Sequence, residues 1–428
     1  MNQEVLAGII FVVMYAIIVS EKIHRTVIAM MGAILMILFG ILDQEVAIHH
    51  IDFNTLGLLI GMMIIVGVTS KTGLFSYIAV LAAQKAKAEP VRLLVYLSLI
   101  TALCSAFLDN VTTVLLMVPV TFSITKKLKV NVVPYLLAQI IASNIGGTAT
   151  LIGDPPNIMI GSAVKELTFA AFIENLALPA FVNLVVVTGI FVLLYRKSLK
   201  TTPELQALVM AEKPQDELKH KALLVKCLIV LTAVIILFFL HSVTHMESSL
   251  VALLGAFVLL LITAMKEHHI VESALDSVEW ATIFFFIGLF VAVGGLVETG
   301  IIRDLAVKGI EITGGDVTQT SLLVLWMSAI VSSFLDNIPF VATMIPLIQD
   351  MGSMGIANLE PIWWSLALGA CLGGNGTIIG ASANVIVAGM AAERGTKISF
   401  IDFFKVGFPM MLLTIIISTV YVWFMYLV

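Results

Sequence analysis

Asp109 and Asn110 sit inside SAFLDNVTTVLLMVP (105–119), a stretch otherwise apolar or hydroxylic. The same acid-amide pair returns as Asp336 and Asn337 inside SSFLDNIPFVATMIP (332–346). A carboxylate in such surroundings must be protonated, hydrated or bound to a cation, because burying the bare charge costs too much. An Asp at either place could also cap the helix that follows. A cap needs only Ser, Thr or Asn, so the duplicated acid points to ion chemistry as well. Downstream, NIGGTATLIGDPPN (144–157) cannot be a regular helix, since Pro155 and Pro156 lack amide hydrogens and the glycines loosen the turn. Its counterpart GACLGGNGTIIGASAN (369–384) reads as a second helix break. Carbonyls freed at such breaks attract cations, and helix N-termini attract anions. The candidate ion-binding or substrate-binding residues are therefore Asp109, Asn110 and Thr112, then Asn144, Gly146, Gly147, Thr148, Asp154 and Asn157. In the second set they are Asp336, Asn337, Gly373, Gly374, Asn375, Thr377 and Asn384. Sodium could sit on Asp109, Asn110, Asp336 and Asn337. Asp154 faces Ala381 when the two breaks are aligned, so it either distinguishes the two sites or forms the turn before Pro155.

These residues need a frame, and composition names it. Of 428 residues, 60% are hydrophobic and 12% charged, against about a quarter charged in soluble domains. The chain is an integral membrane protein. Apolar runs of about 20 residues, the length a bilayer requires, lie near 3–20, 26–42, 55–70, 132–152 and 175–194. A second set lies near 222–240, 248–265, 280–297, 362–380 and 407–428. The first run lacks the flanks of a cleaved signal and reads as a retained span.

Threading by the positive-inside rule puts EKIHR (21–25), QKAKAEPVR (84–92), KKLK (126–129), MKEHH (265–269), ERGTK (393–397) and the 195–221 linker in the cytoplasm. All of the 23 Lys and Arg except Lys165, Arg303 and Lys308 then lie inside. The termini and the acidic 42–52 loop lie outside. By this threading only Asp109, Asp154 and Asp336 are acids at membrane depth, and no Lys, Arg or His joins them.

The runs 93–125 and 318–349 each start and end on one side, the first opening inward and the second outward. Charge bias does not separate a re-entrant hairpin from two short spans. The two-residue polar turn between apolar arms favours hairpins.

Asp336 follows Asp109 by 227 positions, and the same offset relates Gly61, Gly67, Thr72 and Gly73 to Gly288, Gly294, Thr299 and Gly300. It also relates Gly146, Gly147, Thr150, Gly153 and Asn157 to Gly373, Gly374, Thr377, Gly380 and Asn384. The expected fold is an all-α polytopic membrane protein of two repeats. Residues 1–194 carry a hairpin near 93–125 and a broken helix near 132–165. Residues 222–428 carry a hairpin near 318–349 and a broken helix near 362–392, and a solvated cytoplasmic linker (195–221) joins them. Each repeat has five spans and one hairpin, so the second is inverted, as in secondary transporters.

The segments SAFLDNVTTVLLMVPVT, NIGGTATLIGDPPN, SSFLDNIPFVATMIP and GACLGGNGTIIGASAN resemble the ion transporter superfamily. The likeness is to the branch holding the melanosomal P protein, its bacterial relatives, arsenite permeases and NhaD-type antiporters. It covers most of the chain. It implies a scaffold plus a moving transport part, an elevator mechanism, a homodimer and a location in the plasma membrane, the cell inner membrane of a bacterium. In related sodium/dicarboxylate carriers the hairpin tips are Ser-Asn-Thr. Here they are Asp109-Asn110-Val111 and Asp336-Asn337-Ile338, and two fixed acids disfavour a dianion.

The expected function is secondary active transport coupled to protons or sodium, as Na+/H+ exchange or anion transport, with lipid and a small inorganic ion or anion as partners. Arsenite or antimonite efflux is an alternative, with Cys104 and Cys371 as thiols near the site, and an ion channel is another. No cofactor beyond the coupling ion and no nucleic acid is expected. With no nucleophile-base pair, and with Cys104, Cys227 and Cys371 too scattered for a zinc site, the chain does not read as an enzyme.

Overall fold

The computed structural model describes residues 2–20, 22–244, 246–264 and 269–428. Glu21 and residues 265–268 of the basic run MKEHH lie outside the described residues. Among the described residues the secondary structure is helical and no strand occurs. Nine described helices of 18–28 residues are long and apolar enough to cross a bilayer. Large apolar side chains such as Val12, Phe181, Leu193 and Ile229 are exposed on their outer faces, which suits a hydrocarbon surround. The chain is thus an all-helical, multi-pass membrane protein.

The 227-residue offset reappears in the helix starts. Phe53–Ser70, Leu74–Lys85, Pro90–Phe107, Asn110–Leu128, Val133–Thr148 and Pro155–Ala163 each begin 227 residues before a mate. The mates are Trp280–Glu298, Ile301–Thr313, Val317–Phe334, Asn337–Ser353, Glu360–Gly373 and Ser382–Glu393. The short pair Leu74–Lys85 and Ile301–Thr313 was not expected, because each is too short to register as a span. Each is entered through a glycine in the left-handed region, Gly73 at φ 81° and Gly300 at φ 84°, a conformation that side chains resist.

Two crossings interlock the halves. Phe53–Ser70 packs on Ser248–Ala264, and Trp280–Glu298 packs on Arg25–Leu38. Both crossings need glycine. A Cβ on Gly61 would lie 2.6 Å from the Ala252 carbonyl carbon, and one on Gly288 would lie 2.5 Å from that of Ala29.

The linker departs from the expected solvated tether. Pro203–Met210 is helical and Val209 is buried. Thr201 Oγ1 donates to the Leu128 carbonyl at 2.7 Å, the Lys219 amide donates to the Thr72 carbonyl at 3.0 Å, and Lys127 pairs with Glu212. Its middle is folded onto the base of the first hairpin, because Val209 gives the segment an apolar residue to bury.

Candidate ion-binding site

Each Asp-Asn pair forms the tip of a helical hairpin. Asp109 separates Pro90–Phe107 from Asn110–Leu128, and Asp336 separates Val317–Phe334 from Asn337–Ser353. Both acids do cap the second arm. The Thr112 amide donates to Asp109 Oδ1 at 2.8 Å and its hydroxyl bonds Oδ2, while the Ile338 amide donates to Asp336 Oδ1 at 3.1 Å. Pro119 and Pro346 occupy matched positions inside those arms.

Matched bonds fix each hairpin to its broken helix. Ser105 Oγ donates to the Ser143 carbonyl at 2.7 Å and Ser332 Oγ to that of Ala370 at 2.7 Å. Thr150 and Thr377 donate to the carbonyls of Ala106 and Ser333. Glycine permits the approach: a Cβ on Gly146 would stand 2.1 Å from the Ala102 carbonyl oxygen, and one on Gly373 2.6 Å from that of Ala329. Gly147 and Gly374 pack likewise against the Gly153 and Gly380 carbonyls. Gly146→Ala is therefore expected to cost about 1–3 kcal/mol through overpacking. The measurement is the melting temperature of the purified protein in detergent, and an unchanged value would contradict the close packing.

Between Val133–Thr148 and Pro155–Ala163, and between Glu360–Gly373 and Ser382–Glu393, the helices are broken. Side-chain amides take up the freed carbonyls, as irregular backbone at membrane depth requires. Asn157 Nδ2 donates to the carbonyls of Thr148 at 3.1 Å and Thr150 at 2.9 Å. Asn384 Nδ2 donates to those of Gly374 at 2.7 Å and Thr377 at 2.9 Å. Asn110 Nδ2 donates to Asn144 Oδ1 at 3.1 Å, and Asn144 Nδ2 donates to Asn375 and Asn384, both at 3.0 Å. Cys371, the repeat mate of Asn144, donates to Asn157 Oδ1 at 3.4 Å. The Thr148 hydroxyl donates within its own helix, to the Asn144 carbonyl at 2.8 Å.

The two tips meet. Asp109, Asn110 and Val111 of the first and Asn337 and Ile338 of the second line one pocket with Asp154, Arg25, Glu279, Thr282 and Ser382. Turns of paired full spans would end at opposite faces of a bilayer, so this meeting fits hairpins. The enclosed space is about 20 Å³, room for one water-sized body.

Asp154 is 1% exposed and does not use its side chain as a cap. Its Oδ1 accepts from Asn337 Nδ2 at 3.4 Å, and its Oδ2 has no hydrogen-bond partner. The turn-forming role therefore does not account for its carboxyl.

Two pocket residues were not anticipated. Arg25 Nη1 donates to Asp336 Oδ2 and to Ser382 Oγ, both at 2.7 Å, and its guanidinium lies 5.0 Å from the centre of the Phe285 ring. This corrects the expectation that no basic side chain reaches the acids. Arg25 opens a helix beside a basic loop, where a charge is ordinary, and only tertiary packing carries it to the hairpin. Glu279 likewise precedes Trp280–Glu298, just outside the apolar run 280–297. One sign was legible: at the repeat offset Glu279 matches Asp52, and each is followed three residues on by Thr, Thr282 and Thr55.

The site thus gathers Asp109, Asn110, Asp154 and Asn337 in one pocket, with Asn144, Asn157, Asn375 and Asn384 as its polar frame. Asp336 stands at the rim, in an adjoining cavity of about 370 Å³ that shares Arg25 and Ser382 with the pocket. A third cavity, about 460 Å³ and lined by His50, Asp52 and Ser162 among others, shares none of the pocket residues.

Residues 15–369 match the family described as CitMHS, citrate transporter. The chain is 40% identical to the "46 kDa membrane protein" of Mycobacterium leprae, across 100% of both chains. An uncharacterized transporter of Mycobacterium tuberculosis is 41% identical over 100% of this chain and 99% of the relative. The human P protein is 35% identical over 98% of this chain and 60% of its own length. Among solved structures, the Alcanivorax borkumensis YdaH transporter superimposes with a TM-score of 0.60 at 15% identity, covering 99% of this chain and 98% of that one. That likeness concerns the fold.

Proposed function

The chain belongs to the CitMHS citrate transporter family, a family of secondary transporters rather than enzymes, and from that premise we propose that it couples transport to protons or sodium bound at Asp109 and Asp154. The observation carrying this reading is the unbalanced charge of the site. Asp109, Asp154 and Glu279 line a pocket whose one basic residue, Arg25, is already bonded to a fourth acid, Asp336. A buried carboxylate oxygen without a partner costs free energy. A proton or a cation on Asp154 Oδ2 removes that cost, and the pocket has room for one ion.

Under this reading the hairpins and broken helices form the moving part of an elevator, and the crossed helices of the two halves form its scaffold. It works as a homodimer in the plasma membrane, with the linker in the cytoplasm. Citrate is named in the family description. A polycarboxylate does not fit 20 Å³ and would meet surplus acid, so it would enter through the Arg25 cavity once protons or sodium had neutralised the pocket. Exchange of sodium for protons would use the same acids without an anion. Arsenite efflux is less favoured, because the thiols serve different places: Cys371 bonds Asn157, and Cys104 packs by Val66, Phe75 and Leu108.

Sodium and proton fluxes in liposomes under imposed gradients test the coupling. Sidedness is tested by single cysteines placed in the linker. An impermeant thiol reagent should leave them unlabelled in intact cells and label them after permeabilisation. Labelling in intact cells would overturn the threading.

A further inference from the structure

The two hairpin acids share a sequence motif but not their surroundings. Asp336 accepts from Arg25 Nη1 at 2.7 Å and from Ser382 Oγ at 3.0 Å. Asp109 makes no ion pair among the described residues, and its carboxylate oxygens accept from Thr112. It lines the pocket beside another acid, Glu279.

The difference is written into the repeat. The scaffold helices Arg25–Leu38 and Ser248–Ala264 align with Gly32 on Gly255, an offset of 223, as their crossings demand: Ala29 meets Gly288 where Ala252 meets Gly61. At that offset Arg25 corresponds to Ser248, and at the 227 offset Ser382 corresponds to Pro155. At the positions that correspond to the two partners of Asp336, Asp109 therefore has Ser248 and Pro155, and neither can pair with it as Arg25 and Ser382 pair with Asp336.

Arg25 is held by the scaffold side. It begins a scaffold helix and its guanidinium lies against Phe285 of Trp280–Glu298, a contact that favours a cation fixed in place. Asp336 and Ser382 belong to the second hairpin and the second broken helix. The ion pair thus joins two parts that an elevator would slide past one another.

In an inverted repeat, the alternate state can be generated when each half adopts the other's present conformation. Asp336 would then stand where Asp109 stands now, facing the repeat mates of Glu279 and Thr282. Those mates are Asp52 and Thr55, and Asp52 already borders the cavity of about 460 Å³. That position offers Asp336 an acid in place of an arginine.

We propose that Arg25 is a resident counter-cation that replaces the coupling ion on Asp336 in the conformation seen here. The two acids are then inequivalent sites. Asp109 with Asp154 holds an exchangeable cation in this state. Asp336 holds one only after the transport part has left Arg25, and returning to Arg25 expels it. This inference rests on the coupled-transport reading above.

The test counts cations on purified protein at equilibrium, as bound radioactive sodium and as protons absorbed. Arg25→Gln and Arg25→Met both remove the charge, and Met keeps most of the apolar stem, so the test does not depend on one variant folding. Each is expected to take up one more cation per chain than the parent, and adding Asp336→Asn is expected to cancel the gain. Parent-level uptake in either folded variant would overturn the proposal alone. So would a gain that survives Asp336→Asn. No uptake by the parent would overturn the coupled-transport reading, and this proposal with it.

Discussion

Asp154→Asn is expected to fold, reach the membrane and lose coupled flux by about 100-fold. The magnitude follows from losing a charged ligand, since hydrogen bonds to charged groups contribute about 1.5–3 kcal/mol and every ~1.4 kcal/mol is tenfold in binding. Asn has nearly the shape of Asp, so the break before Pro155 keeps its volume. It also brings an amide donor to the place where Oδ2 now has no partner, and a donor repels a cation. Folding is checked by gel filtration and flux by sodium and proton movement in liposomes. Parent-like coupled flux would show that the buried carboxyl is not an ion ligand.

Asp109→Asn separates two roles that coincide on one side chain. Asp109 caps Asn110–Leu128 through the Thr112 amide, and Asn caps about as well as Asp. The variant should therefore melt close to the parent while losing coupled flux on the same scale as Asp154→Asn. Asp109→Ala should lose the cap too, at about 1 kcal/mol, and melt lower. If Asp109→Asn transports like the parent and only Asp109→Ala is impaired, the acid is a cap and nothing more.

Much of the site was legible because the membrane makes polar residues conspicuous. Asp109, Asp154 and Asp336, the four asparagines of the breaks and the paired glycines all interrupt apolar sequence. The recurrence of Asp109 as Asp336, of Asn157 as Asn384 and of the paired glycines at one offset marked the two segments as a set. The helix starts repeat at that offset, and Asn157 and Asn384 brace their broken helices in the same way. Arg25 and Glu279 were hidden because each sits at a helix end, where hydropathy treats a charge as solvated. What brings them inward is the crossing of helices from different halves, and neither propensity nor charge bias encodes it. The linker was misread for a related reason. Its polar composition is real, but the buried apolar residues Leu199, Val209 and Pro214 and backbone bonds to the first hairpin's neighbourhood fold it down. The Asp-Asn pairs share one motif, and identical motifs conceal unlike surroundings when one half supplies Arg25 and the other Ser248.

The central claim is that movement of a coupling cation on Asp109 and Asp154 drives transport. The most direct measurement is lumenal pH in sealed liposomes carrying the purified protein, with the membrane potential clamped at zero. Sodium or citrate gradients are imposed in turn. At least one of them is expected to drive protons against their own gradient. The Asp109→Asn/Asp154→Asn double variant, folded and inserted, is expected to move none. Ion flow that only follows its own gradient in the parent would identify a channel, and undiminished proton pumping by the double variant would remove the two acids from the mechanism.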